Sequence, residues 1–216
     1  YLQQGRYAEA WKVWEAKRAD IIASQGNGDT YSYWASLGAM LVIGSGAWER
    51  AEEVFRDPVT IRVGSAEGHA HSPRPAARAL EGLARGFAAA RRGQDIAPWV
   101  DKIEQAKTMT PEAVAAARLE AQALMVKAER ARHDRLYDEA IRLLEKANEL
   151  EEKEKWVSGP PDIIKPSHEL AGEILLEAGK PMEALAKFRR ALERQPNRSL
   201  SLAGAAKAAE VLGDAE

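Results

Sequence analysis

The residues with the clearest potential for chemistry are two histidines separated by a single alanine, His69 and His71. In an extended backbone, alternate side chains point to the same side, so both imidazoles could face one metal ion. Imidazole is a good ligand for zinc, copper and nickel. Glu67 is the nearest carboxylate, but no third ligand follows at a spacing typical of a metal site. We therefore predict a solvated loop and no metal site here, with His69 and His71 as the only candidates.

Catalytic motifs are absent from the sequence. The chain contains no cysteine, which excludes thiol catalysis, cysteine-ligated zinc and iron–sulfur clusters. No G-x-S-x-G nucleophile turn, no P-loop and no H-E-x-x-H metal motif occurs. We therefore predict that the chain is not an enzyme and that it uses no cofactor.

A cluster of basic side chains ends one predicted helix and contains Arg130, Arg132, His133 and Arg135. Cations near the C-terminus of a helix are stabilised by the helix dipole, which is a sufficient structural reason for the cluster. The alternative is a basic patch that binds an acidic peptide or a phosphate. The sequence leaves both interpretations open.

The composition indicates that these residues belong to a helix-rich globular chain. A formal net charge of -2 argues against a protein that wraps nucleic acid. No apolar run reaches the roughly 18 residues that a membrane-spanning helix needs. The 216 residues include 41 alanines but only 3 phenylalanines, and alanine both favours helices and lets them approach closely. We predict an all-α fold, no nucleic acid partner and no membrane span.

Hydrophobic periodicity, together with prolines near helix starts and glycines near helix ends, predicts ten helices. They cover residues 6–24, 31–43, 47–55, 75–92, 97–107, 111–133, 137–154, 167–177, 181–194 and 199–212.

The spacing of small and aromatic residues repeats along the chain. The clearest copy consists of Gly172, Gly179, Ala184, Phe188, Ala191 and Pro196. Looser copies surround Ala10, Ala51, Trp99 and Ala140. This pattern resembles the tetratricopeptide repeat, a helix–turn–helix unit of about 34 residues. The units here are longer, so we expect each to carry an insertion or lengthened helices.

The resemblance implies a tetratricopeptide-type solenoid, in which antiparallel helix pairs form a right-handed superhelix. The chain would then be one domain from the C-terminal part of a bacterial tetratricopeptide protein of unassigned role. Its units would cover residues 1–25 (partial), 31–57, 75–108, 111–154, 165–198 and 199–216 (partial or capping). The last full unit departs from the family pattern at His168 and Leu175, which replace its usual Trp and Tyr. The unit before it has Leu124, Ala128 and Ala131 at the Trp, Gly and Tyr places. The compartment stays open between the cytoplasm and export to the periplasm, with any targeting region expected upstream.

The resemblance also implies a concave groove lined by the first helix of each pair. The positions that carry over from the family are Tyr33, Met40, Leu83, Phe87, Arg91, Met125, Glu129, Arg132, Glu169 and Glu173. Aromatic and aliphatic groups in the early units and charged groups in the later ones suit a peptide with an apolar segment. We therefore expect a non-catalytic module that binds a protein or peptide. The alternatives are an accessory or regulatory segment of a larger enzyme or metal-handling protein, or a structural scaffold that self-associates.

Overall fold

The computed structural model describes residues 4–23, 28–56, 75–153 and 164–213, and all the regular structure within these ranges is helical. Ten α-helices lie within these ranges: α1 (Tyr7–Ala23), α2 (Gly28–Ser45), α3 (Ala51–Arg56), α4 (Pro75–Arg91), α5 (Ala97–Thr108), α6 (Ala113–His133), α7 (Tyr137–Glu152), α8 (Ser167–Glu177), α9 (Pro181–Arg194) and α10 (Ser199–Leu212). A 3₁₀ turn, Trp48–Arg50, precedes α3. Within the described ranges, every helix is too short or too polar to cross a membrane.

The all-α class predicted from the sequence is confirmed. The last three predicted helices have the observed bounds, and the others differ by a few residues at one or both ends. The segment predicted as one helix over 47–55 divides into the 3₁₀ turn and the short α3. The helix predicted from Pro111 begins instead at Ala113. The helix starts later than predicted because Glu112 has an extended backbone, with ψ of 121°.

The helices pack as neighbouring pairs: α4 with α5, α6 with α7, and α8 with α9. We call α2, α4, α6, α8 and α10 the first helices. Each of them also contacts the next one in this series. Each of α3, α5, α7 and α9 contacts the first helix that follows it. Successive pairs therefore stack on one another, and each pair covers part of the next.

Glycines allow neighbouring helices to approach the ring of Phe188 in α9. A Cβ added at Gly172 in α8 would lie 2.8 Å from this ring, and one added at Gly204 in α10 would lie closer still. Phe188 is 1% exposed, so it fills the space between α8 and α10. The alanines at the repeated positions of three units are fully buried as well: Ala51, Ala140, Ala147, Ala184 and Ala191.

The turns that follow α2, α4 and α8 share one backbone conformation. Gly46, Gly93 and Gly179 have positive φ angles of 69°, 65° and 73°. Glycine adopts this left-handed conformation readily because it has no Cβ. The turn after α6 is the exception, since its left-handed residue is Arg135, with φ of 59°.

The two ends of the array lie against each other. The Tyr7 hydroxyl oxygen is 3.3 Å from the Ser199 hydroxyl oxygen. A Cβ added at Gly5 would lie 3.4 Å from the Ser199 side chain. The series of helices therefore curves far enough to bring the start of α1 next to the start of α10.

Candidate binding surface

Charged side chains meet near the ends of α4, α6 and α8. Arg91 Nε lies 2.5 Å from Glu129 Oε1. Arg132 lies 3.4 Å from Glu129, 2.6 Å from Glu177 and 3.9 Å from Glu173. Burial alone would lower the pKa of Arg132, but attraction to Glu129 and the hydrogen bond to Glu177 outweigh it, so the pKa is raised. Arg132 thus links a carboxylate of its own helix to two carboxylates of α8.

A buried charge cluster lies beside the charged side chains around Arg132, where the start of α10 meets α8. Arg198 donates hydrogen bonds of 2.6 and 2.9 Å to Glu169, and Ser201 donates one of 2.6 Å. Lys165 donates to Glu169 at 3.2 Å and to Glu173 at 2.7 Å. Only 4% of Lys165, 0% of Glu169 and 6% of Arg198 is exposed. Glu173 therefore contacts both Lys165 of the buried cluster and Arg132 of the neighbouring group of charges.

The cations of this cluster keep the buried carboxylate ionised. Burial by itself would raise the pKa of Glu169, but Lys165 and the hydrogen bond from Arg198 lower it to about 2. The pKa of Lys165 is raised because Glu173 and Glu169 outweigh its own burial. Opposite charges and hydrogen bonds thus satisfy ions that would otherwise be costly to bury.

A third polar cluster joins α7, α8 and α9 around Glu152. Arg190 Nε donates to this carboxylate at 2.8 Å, and His168 Nε2 lies 3.0 Å from it. The hydrogen bond from Arg190 is the main reason that the pKa of Glu152 falls to about 2. Burial is the main reason that the pKa of His168 is lowered. The main contacts of this cluster are internal, so it holds the helices together.

One polar pocket opens among the first group of charges. Its volume is about 370 Å³, and it is lined by Arg91, Glu129, Arg132, His133, Arg135 and Glu177. We call it the charged pocket. Three arginines against two glutamates give it a formal charge of +1 when His133 is neutral. Within the described ranges, the guanidinium of Arg135 makes no hydrogen bond or ion pair.

A second pocket, of about 590 Å³, adjoins the first one between α8, α9 and α10. Its apolar lining consists mainly of Leu176, Phe188, Leu200 and Val211, and its charged rim of Arg132, Glu173, Glu177 and Lys207. We call it the apolar pocket. It falls in the size range of roughly 300 to 1,000 Å³ that is usual for ligand sites. Because Arg132 and Glu177 line both pockets, the two form one continuous surface.

Three of the predicted groove residues lie in the core. Leu83 is 2% exposed, and Phe87 and Met125 are 0% exposed. Phe87 stacks on Trp48 with 4.8 Å between ring centroids, so its face is covered by the preceding unit rather than open to a groove. Met40 is only partly buried and packs against the same core.

The other predicted groove residues are mostly charged and lie in the clusters described above. Arg91, Arg132 and Glu173 border the pockets, whereas Glu129 and Glu169 are buried in ion pairs. Their contact with a partner stays a prediction.

Some predicted residues lie outside the described part of the chain. These are His69, His71 and the side chain of Tyr33. In the ranges that are described, no group of three or more potential metal ligands comes together. A metal role for the two histidines thus stays a prediction.

Two members of the buried charge cluster, Lys165 and Arg198, are not among the site residues predicted from the sequence. Lys165 lies four residues before Glu169, the spacing at which oppositely charged side chains often interact on a helix, although Lys165 itself precedes the start of α8. Arg198 has no such signal, because 29 residues separate it from Glu169. Comparison with known proteins adds no further residues: no family model, curated protein or solved structure matches this chain.

Proposed function

We propose that the chain is a non-catalytic module of tetratricopeptide type, which binds a peptide segment of another protein on the surface formed by α6, α8 and α10. The repeat interpretation is supported by the stacking of successive pairs and by the left-handed residue after each first helix. It is also supported by the small residues that allow close helix contacts around Phe188.

The observation that carries the binding proposal is the junction of the two pockets at Arg132 and Glu177. An extended peptide can place an apolar side chain in one pocket and a neighbouring polar group in the other. Concave sites of this kind, with apolar walls and a few fixed polar groups, are typical of binding sites. The ion pair between Arg132 and Glu177, at 2.6 Å, fixes the shared rim and so reduces the entropy lost on binding.

The electrostatics of the surface favour binding over acid–base chemistry. A general acid or base works best when its pKa is near the working pH. The carboxylate of Glu169, which is buried beside this surface, is instead held ionised, with a pKa of about 2. The carboxylates of Glu129 and Glu177 already accept contacts from Arg91 and Arg132. These groups are better suited to fix a recognition surface than to exchange protons.

The proposal can be tested by selecting ligands from a library of random twelve-residue peptides displayed on phage, with the purified chain as bait. We expect the selected sequences to converge on a motif with an apolar residue. Val211, which is 62% exposed, lines the apolar pocket. Val211→Lys should weaken the selected peptides about tenfold, because it brings a charge to the apolar wall.

Leu202→Lys provides the matched control. Leu202 lies on the same helix and is 48% exposed, but it is not part of the pocket lining. This variant should bind the selected peptides as the parent chain does. Failure of the library to converge, or equal binding by the parent and the Val211 variant, would overturn the proposal.

A further inference from the structure

Arg135 occupies a backbone position that elsewhere in this fold belongs to glycine. Its φ is 59°, against 69° for Gly46, 65° for Gly93 and 73° for Gly179 at the turns after the other first helices. For a residue with a Cβ, the left-handed conformation is disfavoured by roughly tenfold in population. Arginine is not among the residues whose short polar side chains ease this conformation.

The hydrogen bonds of the turn do not require arginine. The Arg135 N–H donates to the Arg132 carbonyl at 3.0 Å, and the next N–H, of Leu136, donates to the Ala131 carbonyl at 2.8 Å. The turn around Gly179 has the same two bonds, at 3.1 and 2.8 Å. Both turns are the Schellman ending of a helix, for which glycine is the usual residue. Glycine would thus form this turn with less strain.

The Arg135 side chain does not compensate for this strain within the described structure. It is exposed and makes no hydrogen bond or ion pair with another described residue. It does, however, line the charged pocket. Residues with a strained backbone cluster at functional sites. Because the Arg135 side chain makes no stabilising contact within the described structure, its strain points to a role in binding.

The other cations of the charged pocket already have partners. Arg91 and Arg132 contact Glu129 at 2.5 and 3.4 Å, and Arg132 also contacts Glu177. The net charge of +1 in this pocket therefore resides on Arg135, whose guanidinium donors are free to bind an anion. Two glutamates in the same lining disfavour a doubly charged phosphate, whereas one carboxylate balances the single positive charge.

We infer that Arg135 is the residue that selects the ligand, and that it binds the carboxylate of an aspartate or glutamate side chain in the peptide. An apolar neighbour of that residue would occupy the adjoining apolar pocket. This inference depends on the proposed peptide-binding function and adds the acidic specificity to it.

The test compares the parent chain with Arg135→Gly, using the same random peptide library. Peptides selected on the parent should contain an acidic residue close to the apolar one. Replacing that residue by its amide should weaken binding to the parent about tenfold. Arg135→Gly should bind the acidic and amide peptides equally, and its melting temperature should rise by about 3 °C because the strain at the turn is relieved.

Two control variants separate charge from strain. Arg142→Gln removes an arginine that is 70% exposed and lies outside both pockets, so the preference for acidic peptides should persist. Gly46→Arg places arginine in an equivalent turn away from the pockets, and it should lower the melting temperature without a change in peptide preference.

The outcomes distinguish this inference from the function on which it depends. If the selected peptides share an apolar motif without an acidic residue, the role of Arg135 is wrong but peptide binding stands. The same holds if Arg135→Gly keeps the preference for the acidic form. If the library yields no motif, both proposals fail.

Discussion

The first and last parts of the chain hold similar helix pairs together with different chemistry. In α1 to α4, aromatic rings provide the main contacts. Trp14 stacks on Trp34 with 4.0 Å between centroids, and Trp11 meets the edge of Trp14 at 5.6 Å. Trp48 stacks on Phe87 at 4.8 Å. All five rings are buried, so this region is stabilised chiefly by apolar burial and ring packing.

In α8 to α10, ions occupy buried positions. Lys165 and Arg198 enclose the carboxylate of Glu169, while Phe188 provides the main apolar contact nearby. A buried ion pair gains little net stability, because desolvation offsets the attraction, but the loss of one partner is costly. The stability of the helices should therefore depend on protonation in the last part of the chain and be nearly independent of it in the first part.

The largest loss of stability is expected for Glu169→Gln, in the region that contains the buried ions. The change leaves Lys165 and Arg198 buried without their shared counter-ion, so the free energy of unfolding should fall by about 3 to 5 kcal/mol. Urea denaturation followed by circular dichroism measures the change. Glu193→Gln is the control, because this partner of Arg190 is 62% exposed and its loss should cost less than about 1 kcal/mol. Equal losses in the two variants would contradict a special role for the buried cluster.

A smaller loss, of about 3 kcal/mol, is expected for Trp34→Ala in the aromatic region. The value is at the low end for such a change, because the buried Trp34 indole N–H has no hydrogen-bond partner among the described residues and its removal relieves that cost. The decrease should be the same at neutral and mildly acidic pH, measured by urea denaturation. Trp99→Ala, at a partly exposed ring, should cost less. A strong dependence of the Trp34 effect on pH would remove the contrast between the regions.

The smallest of these effects is the response of the native chain to acid. Glu169 has its pKa lowered from 4.5 to about 2, so its contribution is complete above the higher value and decreases as the pH falls toward the lower one. Between about pH 7 and pH 3, this group alone should reduce the free energy of unfolding by about 2 kcal/mol.

Two signals can show which region responds to acid first. Four of the six tryptophans lie before residue 91, in the aromatic region, so tryptophan fluorescence mainly reports this region, whereas circular dichroism reports all helices. We expect helical signal to decrease at a higher pH than the fluorescence changes. Coincident transitions would mean that acid affects both regions together.

The helical class and most helix positions were predictable because local signals determine them. Pro181 and Gly179 mark helix ends by their own backbone preferences, and Ala184 and Ala191 follow the spacing of buried positions. The division of residues 47–55 was harder to predict, because one short segment contains both a 3₁₀ turn and a helix.

The surface was less predictable because it depends on which helices meet. Phe87 and Met125 occupy positions that the family resemblance assigned to a groove, yet neighbouring units bury them completely. Arg198 pairs with Glu169 across 29 residues, a contact that follows only from the stacking of α8 on α10. The strain at Arg135 is likewise visible only in the backbone angles.

The contact between Tyr7 and Ser199 joins residues that are 192 positions apart in the chain. In stacked helical arrays, where units contact only their neighbours, folding can start at any unit and spread to the next. A contact between the ends is different, because a loop of this length is entropically costly to close before the intervening helices are in place. We therefore expect this contact to form last during folding and to be among the first lost when either end unravels.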